Sequence, residues 1–140
     1  MGKVLVALIL GLMWKVAVEV KAAIELPEHL KGPAKILRKT CQAETNVSEE
    51  LIEQSKGGNL PNDKALQCYI DCLFRTVGLY DAGGNIKFDD VYHIMPTEIR
   101  EKVDAVTAVC KTIHGSNSCE TAWLTVRCYF DADPEHSLLP

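Results

Sequence analysis

The apolar residues of this 140-residue chain recur mainly every three or four positions, the period of an α-helix, and alternating strand-like runs are nearly absent. Leu30, Ala34 and Leu37 show this spacing in the first segment. Glycines, prolines and helix-capping residues divide the pattern into segments. These segments predict six helices, over about residues 26–43, 46–56, 61–77, 89–95, 97–113 and 118–131. We therefore expect an all-α fold.

Two helix boundaries follow from residue chemistry. Proline has no backbone N–H to donate, so Gly32-Pro33 is expected to break or kink the first helix near its start. Asn46, followed three residues later by Glu49, resembles a capping box. This pair places the start of the second helix near Asn46 to Ser48.

The first residues have the features of a signal peptide. Lys3 supplies a positive charge, and residues 4–14 form an apolar run of suitable length. The small residues Ala22 and Ala23 suit a signal peptidase. We expect cleavage after Ala22 or Ala23, which removes a signal peptide over residues 1–22.

A membrane anchor is the alternative for this segment. A membrane-spanning helix needs ~20 apolar residues, and Lys15 and Glu19 interrupt the run. No second candidate span follows. We therefore expect residues 23–140 to form one soluble, secreted domain without stable membrane insertion.

The predicted secreted domain is acidic. Beyond residue 22 it carries 12 Lys and Arg residues against 18 Asp and Glu residues, a net charge of −6, with no basic cluster. Such a chain is a poor nucleic-acid binder, and its charge mainly favours solubility. Its core is small for its length, so disulfides that each contribute ~2–4 kcal/mol would matter.

The six cysteines are spaced C-x26-C-x3-C-x37-C-x8-C-x8-C. They are Cys41, Cys68, Cys72, Cys110, Cys119 and Cys128. Six thiols in a short secreted chain predict three disulfides. Zinc is the alternative for C-x3-C, but structural zinc sites pair two such motifs and the other intervals supply no second one. We expect neither a metal nor another cofactor.

Helix geometry limits how these cysteines pair. Cys68 and Cys72 share one face of a helix, but their Cβ atoms would be ~5–6 Å apart, too far for the ~3.8 Å of a disulfide. Cys119 and Cys128 lie nine residues apart, on opposite faces of the last helix. Excluding both pairs leaves about ten of the fifteen possible connectivities.

The spacing, on an all-helical secreted chain, resembles that of the insect odorant-binding proteins, the pheromone-binding and general odorant-binding group. Three segments add to the resemblance: E-T-N-V-S-E-E after the first cysteine, C-Y-I-D-C-L-F from Cys68, and D-P-E-H from Asp133. The last resembles the tail of several mosquito members. The resemblance covers the whole predicted secreted domain.

The resemblance implies a compact six-helix domain enclosing an apolar cavity, with Cys41 paired to Cys72, Cys68 to Cys119 and Cys110 to Cys128. It also implies a non-enzymatic carrier of odorants or pheromones in sensillum lymph or a similar extracellular fluid. A small hydrophobic ligand and an olfactory receptor are the implied partners. Homodimers occur in the family, although no residue here predicts one.

The helices that line the family's cavity carry apolar residues at helical spacing here. We expect ligand contacts from Phe88, Val91 and Met95 on the fourth helix, Ile99, Val103 and Val106 on the fifth, and Trp123, Leu124 and Phe130 on the sixth. Trp123 offers a flat aromatic face with one N–H donor, and Met95 adapts to ligand shape. The alternative for any one of them is an ordinary core position.

The C-terminal tail is a candidate lid on the cavity, and Asn46 is a candidate glycosylation site. Leu138 and Leu139 are apolar residues at the C-terminus. In several relatives this tail folds over the cavity, so we expect these two residues to form a lid. The alternative is a frayed terminus. His136 titrates near neutral pH and is a candidate pH switch for that lid. Asn46 begins an N-x-S glycosylation motif.

Three other functions are alternatives to an odorant carrier. A small lipase would need an activated nucleophile, and no serine lies in a G-x-S-x-G context. A saposin-like lipid-interacting protein also has six cysteines on helices, but with a different spacing. A carrier of hydrophobic molecules outside olfaction stays open, because the sequence names neither the ligand nor the tissue.

Overall fold

The computed structural model describes residues 26–135 and Leu139. Within that range the chain forms five α-helices and no β-strand, apart from one isolated bridge between Tyr80 and Ile86. The helices are α1 (Glu28–Thr45), α2 (Glu49–Lys56), α3 (Lys64–Val77), α4 (Thr97–Val109) and α5 (Ser118–Ala132). The predicted all-α class is confirmed, with one α-helix fewer than expected. The predicted signal peptide, His136 and Leu138 lie outside the described residues.

The missing helix is the predicted fourth. Only Tyr92–Ile94 is helical there, as a single 3₁₀ turn. Residues 89–95 are too few for a stable isolated helix, and Pro96 follows at once. The apolar spacing of this segment predicts a short helix, but its length and the proline that follows allow only a single turn.

The next helix is shorter than predicted, since α4 ends at Val109 instead of continuing to Ile113. Beyond Val109, residues 112 and 113 make hydrogen bonds with distant parts of the chain. Thr125 on α5 accepts a hydrogen bond from the Ile113 amide at 2.9 Å. Thr112 in turn accepts one from the Ile86 amide at 2.8 Å. The Thr125 hydroxyl thus replaces the bond that the Ile113 amide would make in a longer helix, while Thr112 ties this segment to Ile86.

The predicted break at Gly32-Pro33 does not occur, because α1 continues through Pro33. The predicted capping box at Asn46 is also absent. Asn46 adopts the left-handed conformation (φ 54°) at the end of α1, which asparagine tolerates better than most residues. Ser48 instead caps α2, accepting a hydrogen bond from the Leu51 amide at 3.2 Å.

Helix α3 lies at the centre of the core. It packs against α1 and α5, and α4 packs against α5. Leu66, Tyr69 and Ile70 on α3 are fully buried, together with Cys41 on α1 and Ala122 on α5. Helix α3 is therefore held between two other helices.

Three disulfides link the same elements. Cys41–Cys72 joins α1 to α3 and Cys68–Cys119 joins α3 to α5, with Cα–Cα distances of 5.6 and 4.4 Å. Cys110–Cys128 joins the end of α4 to α5 at 5.9 Å. This is the pairing that the family resemblance implies. It makes α3 the element tied to both neighbours and leaves α4 with one covalent tie.

A tight loop connects α3 to the segment that carries Phe88. The Asp81 carboxylate accepts hydrogen bonds from the Gly83 amide at 2.8 Å and the Asn85 amide at 2.9 Å. These bonds, led by those from Asn85, lower the pKa of Asp81 to about 2. The loop is thus anchored by a group that is ionised throughout the physiological range.

Candidate ligand-binding site

A cavity of about 460 Å³ lies among α1, α3, α4, α5 and the chain between α3 and α4. Its lining is almost entirely apolar. It includes Leu30, Pro33, Ala34, Leu37, Leu73, Phe74, Val77, Leu79, Phe88, Val91, Ile94, Met95, Ile99, Val106, Val126, Tyr129, Phe130 and Leu139. A cavity of this size and character is typical of a site for one small hydrophobic molecule.

Helix periodicity explains which residues face the cavity. Val126, Tyr129 and Phe130 on α5, and Asp133 directly after its end, share one face, because the last three lie three, four and seven residues beyond Val126. On α1, Leu30, Ala34 and Leu37 do the same. Each helix thus presents one stripe to the cavity while its other faces meet the core or solvent.

Seven of the predicted ligand-contact residues line this cavity. They are Phe88, Val91, Met95, Ile99, Val106, Phe130 and Leu139. Leu139 is buried, with 8% of its surface exposed, although it is the penultimate residue of the chain. Leu139 therefore contributes to the cavity wall.

Val103, Trp123 and Leu124 do not line the main cavity. Val103 is buried and faces a second cavity. Lys102, about 100° away around α4, lines the main cavity instead of Val103. Trp123 lines a third cavity, of about 370 Å³, with Arg127, whose guanidinium lies 4.7 Å from the indole centroid. Leu124 is about 200° around α5 from Val126, nearly opposite the cavity face. Helical spacing puts Val103 on the face of Ile99 and Val106, whereas the prediction for Trp123 and Leu124 rests on their position in the last helix. Neither signal shows which face of a helix meets the cavity.

Sequence reasoning missed two parts of the wall. The first is α1, whose apolar stripe was recognised as helical but not assigned to the site. The second is the α3 and α5 residues Leu73, Phe74 and Tyr129. Their signal was the same helical spacing, and only the packing of α3 between two helices shows that it leads into a cavity.

The family of the chain is shown by comparison with known proteins. Residues 23–132 match the model of the PBP/GOBP family. The chain belongs to this family. Its relatives are odorant-binding carrier proteins and not enzymes.

Three relatives illustrate the similarity to other odorant-binding proteins. The structure of odorant-binding protein 7 from Anopheles gambiae, in complex with an azo compound, is 40% identical, with a TM-score of 0.71 over 79% of this chain and 91% of that one. General odorant-binding protein 69a of Drosophila melanogaster is 32% identical over 76% of this chain and 72% of its own length. The fatty acid binding protein OBP56a from the blowfly Phormia regina is 28% identical, with a TM-score of 0.61 over 80% and 98%.

A row of aromatic rings divides the interior of this odorant-binding domain. Phe88 lies 6.5 Å from Phe74 and 6.2 Å from Tyr129, measured between ring centroids, and the first pair meets edge to face. Phe88 and Tyr129 also line a second, more polar cavity of about 400 Å³. Their rings therefore lie between the two cavities. Burial raises the pKa of the Tyr129 hydroxyl to about 12, so that it stays neutral at physiological pH.

One charged pair interrupts the apolar wall. Among the described residues that line the main cavity, only Lys102 on α4 and Asp133 at the end of α5 carry charge. Lys102 Nζ lies 3.7 Å from Asp133 Oδ2. The apolar lining supplies binding energy by excluding water, whereas this pair is suited to orienting a polar group of a ligand.

Residues 26–135 and Leu139 contain neither a metal-binding cluster nor a membrane-spanning helix. No group of three or more His, Cys, Asp and Glu side chains in this range is arranged to hold a metal ion. Nor does the range contain a helix long and apolar enough to cross a membrane.

Proposed function

We propose that the protein is a secreted, non-enzymatic carrier that holds one small hydrophobic molecule in the main cavity and transports it through extracellular fluid to a receptor. The cavity is the observation that carries the proposal. Its volume of about 460 Å³ and nearly continuous apolar lining suit a molecule that is poorly soluble in water. The Anopheles relative with an azo compound and the blowfly fatty acid binding protein support the same type of ligand.

Secretion is part of the proposal. The sequence features of residues 1–22 support a signal peptide that is cleaved after Ala22 or Ala23, and three disulfides suit an oxidising compartment. Sequencing the N-terminus of protein secreted from insect cells tests it. A start at residue 23 or 24 supports the proposal, and a start at Met1 contradicts it.

The carrier proposal predicts saturable binding of an apolar fluorescent probe. Residues 23–140, with disulfides intact, should bind N-phenyl-1-naphthylamine one to one, and long-chain alcohols, esters or acids should displace it. Fluorescence titration measures the stoichiometry and the inhibition constants. A panel of p-nitrophenyl esters, followed by absorbance, serves as the enzymatic control. Absence of probe binding, or turnover of the esters, would contradict the proposal.

The C-terminal tail is proposed as a lid on the cavity. Burial of Leu139 among the lining residues supports it. We also propose that protonation of His136 loosens the lid, so that lowering the pH from 7 to 5 weakens ligand binding in the wild type more than in His136→Ala. Probe affinity at both pH values tests this. Equal pH dependence in the two proteins would remove His136 from the account.

Asn46 is proposed as a glycosylation site. Its side chain is exposed at the turn between α1 and α2, where an attached glycan would not disturb the core. A mass shift of the native protein on treatment with peptide-N-glycosidase would support this, and an unchanged mass would oppose it.

A further inference from the structure

A lysine occupies the cavity face of α4 where the helical pattern calls for an apolar residue. Ile99, Lys102 and Val106 line the main cavity at offsets of three and seven, which is one face of the helix. Val103, the apolar neighbour, faces the second cavity instead. The cation is therefore part of the ligand cavity wall.

The partner of this lysine lies on the facing helix end. Lys102 Nζ and Asp133 Oδ2 are 3.7 Å apart, and the two side chains are 37% and 20% exposed. This separation is longer than a normal N–H···O hydrogen bond of about 2.7–3.2 Å. A third oxygen atom at about 2.8 Å from each group fits this spacing, because the three atoms then form a compact triangle.

The charges of the pair define which ligand group fits that point. An ammonium group only donates hydrogen bonds, and an ionised carboxylate only accepts them. A hydroxyl does both, so it can accept from Lys102 and donate to Asp133. An ether oxygen can satisfy only the lysine. A ligand carboxylate would gain from the lysine but would be repelled by Asp133.

We propose that Lys102 and Asp133 form a head-group subsite that selects ligands carrying a terminal hydroxyl, with the hydrocarbon chain lying in the apolar part of the main cavity. This inference rests on the proposed carrier function and names the class of ligand, an unbranched aliphatic alcohol. Binding strength then comes mainly from burial of the chain. Discrimination comes from the two hydrogen bonds at its end.

A matched set of ligands tests the proposal. Decan-1-ol, decyl methyl ether and decanoate share one hydrocarbon chain and differ at the head group. Each is titrated against the N-phenyl-1-naphthylamine complex of residues 23–140 at pH 7.5. We expect the alcohol to bind about tenfold more tightly than the ether, as hydrogen bonds to charged groups allow, and more tightly than decanoate.

Three variants separate the subsite from general charge effects. Lys102→Met keeps the aliphatic stem but removes the donor that the alcohol and the ether both use, so it should weaken the two ligands by a similar factor. Asp133→Leu removes the acceptor that only the alcohol uses, and it should reduce the alcohol-to-ether preference to about one. Lys39→Met is the matched control, since Lys39 is exposed on α1 and lines none of the cavities described here. It should keep the wild-type affinity for both ligands. Thermal unfolding of each variant checks that the fold is retained.

Several results would overturn the subsite, and they differ from failure of the carrier function. Equal affinity for alcohol and ether in the wild type would do so, as would tightest binding of decanoate. A preference that survives Asp133→Leu but disappears in Tyr129→Phe would assign the head group to the Tyr129 hydroxyl, which also lines the main cavity. In each case probe and ligands still bind, so the carrier function stands. If no ligand binds the wild type, both proposals fail.

Discussion

Replacing Cys68 and Cys119 together with alanine is expected to lower the free energy of unfolding by about 4 kcal/mol, the largest stability effect among the three disulfides. This bridge closes the longest loop, with a sequence separation of 51, against 31 for Cys41–Cys72 and 18 for Cys110–Cys128. A longer closed loop removes more conformational entropy from the unfolded chain. Both cysteines are only half-buried, so little packing is lost with them. Urea denaturation measures the change.

The Cys110→Ala/Cys128→Ala variant is the matched comparison. Its shorter loop predicts a smaller loss, of about 3 kcal/mol. Ligand affinity should nevertheless fall more in this variant than in the Cys68/Cys119 one at a temperature where both are folded. The reason is that this bridge is the one covalent tie of α4, which carries Ile99, Lys102 and Val106 to the cavity. The opposite order in both measurements would show that loop length and α4 anchoring do not govern these effects.

Filling the cavity from α1 is expected to abolish most ligand binding without loss of stability. In Ala34→Phe, a ring replaces a methyl group that lines the main cavity. We expect probe affinity to fall by about tenfold or more, because the ring and the ligand compete for the same apolar space. The free energy of unfolding should change by less than about 1 kcal/mol, because the ring enters existing space instead of overpacking a dense core.

Ile36→Phe is the control for Ala34→Phe. Ile36 lies two residues further along α1 and is 68% exposed, so its substitution adds a ring on the solvent side of the same helix. Probe affinity should stay within about twofold of the wild type. If Ala34→Phe bound the probe normally, the ligand site would lie elsewhere, for example in the more polar cavity beyond Phe88 and Tyr129.

The main cavity shows what helical spacing can and cannot predict. Residues 99, 103 and 106 satisfy a helical apolar stripe, and so do 99, 102 and 106 apart from the charge of Lys102. Hydrophobicity favours the first set, but the second set is the one that lines the main cavity. Val103 can face away from the main cavity without being exposed, because it is buried next to the second cavity. An apolar pattern identifies buried positions but not the space into which they are buried.

Trp123 makes the same point on α5. It is buried, as its size and apolarity predict, and its indole nitrogen has no hydrogen-bond partner among the described residues. It nevertheless lies at the side of the helix shared with Arg127 and not on the face of Val126 and Tyr129. The orientation of α5 against α3 determines which side of α5 meets the main cavity. The Cys68–Cys119 bridge and the core packing hold α5 in that orientation.

The amino-acid sequence alone determined the helical class, most helix positions and, through the cysteine spacing, the family. These are local or pattern properties, because helix period, capping and loop residues act within a few positions along the chain. Only the tertiary structure decided where α4 ends and which face of each helix meets the cavity. Those outcomes depend on distant partners, such as Thr125 for the Ile113 amide and Asp133 for Lys102. A sequence pattern shows that such groups are present but does not predict which of them are in contact.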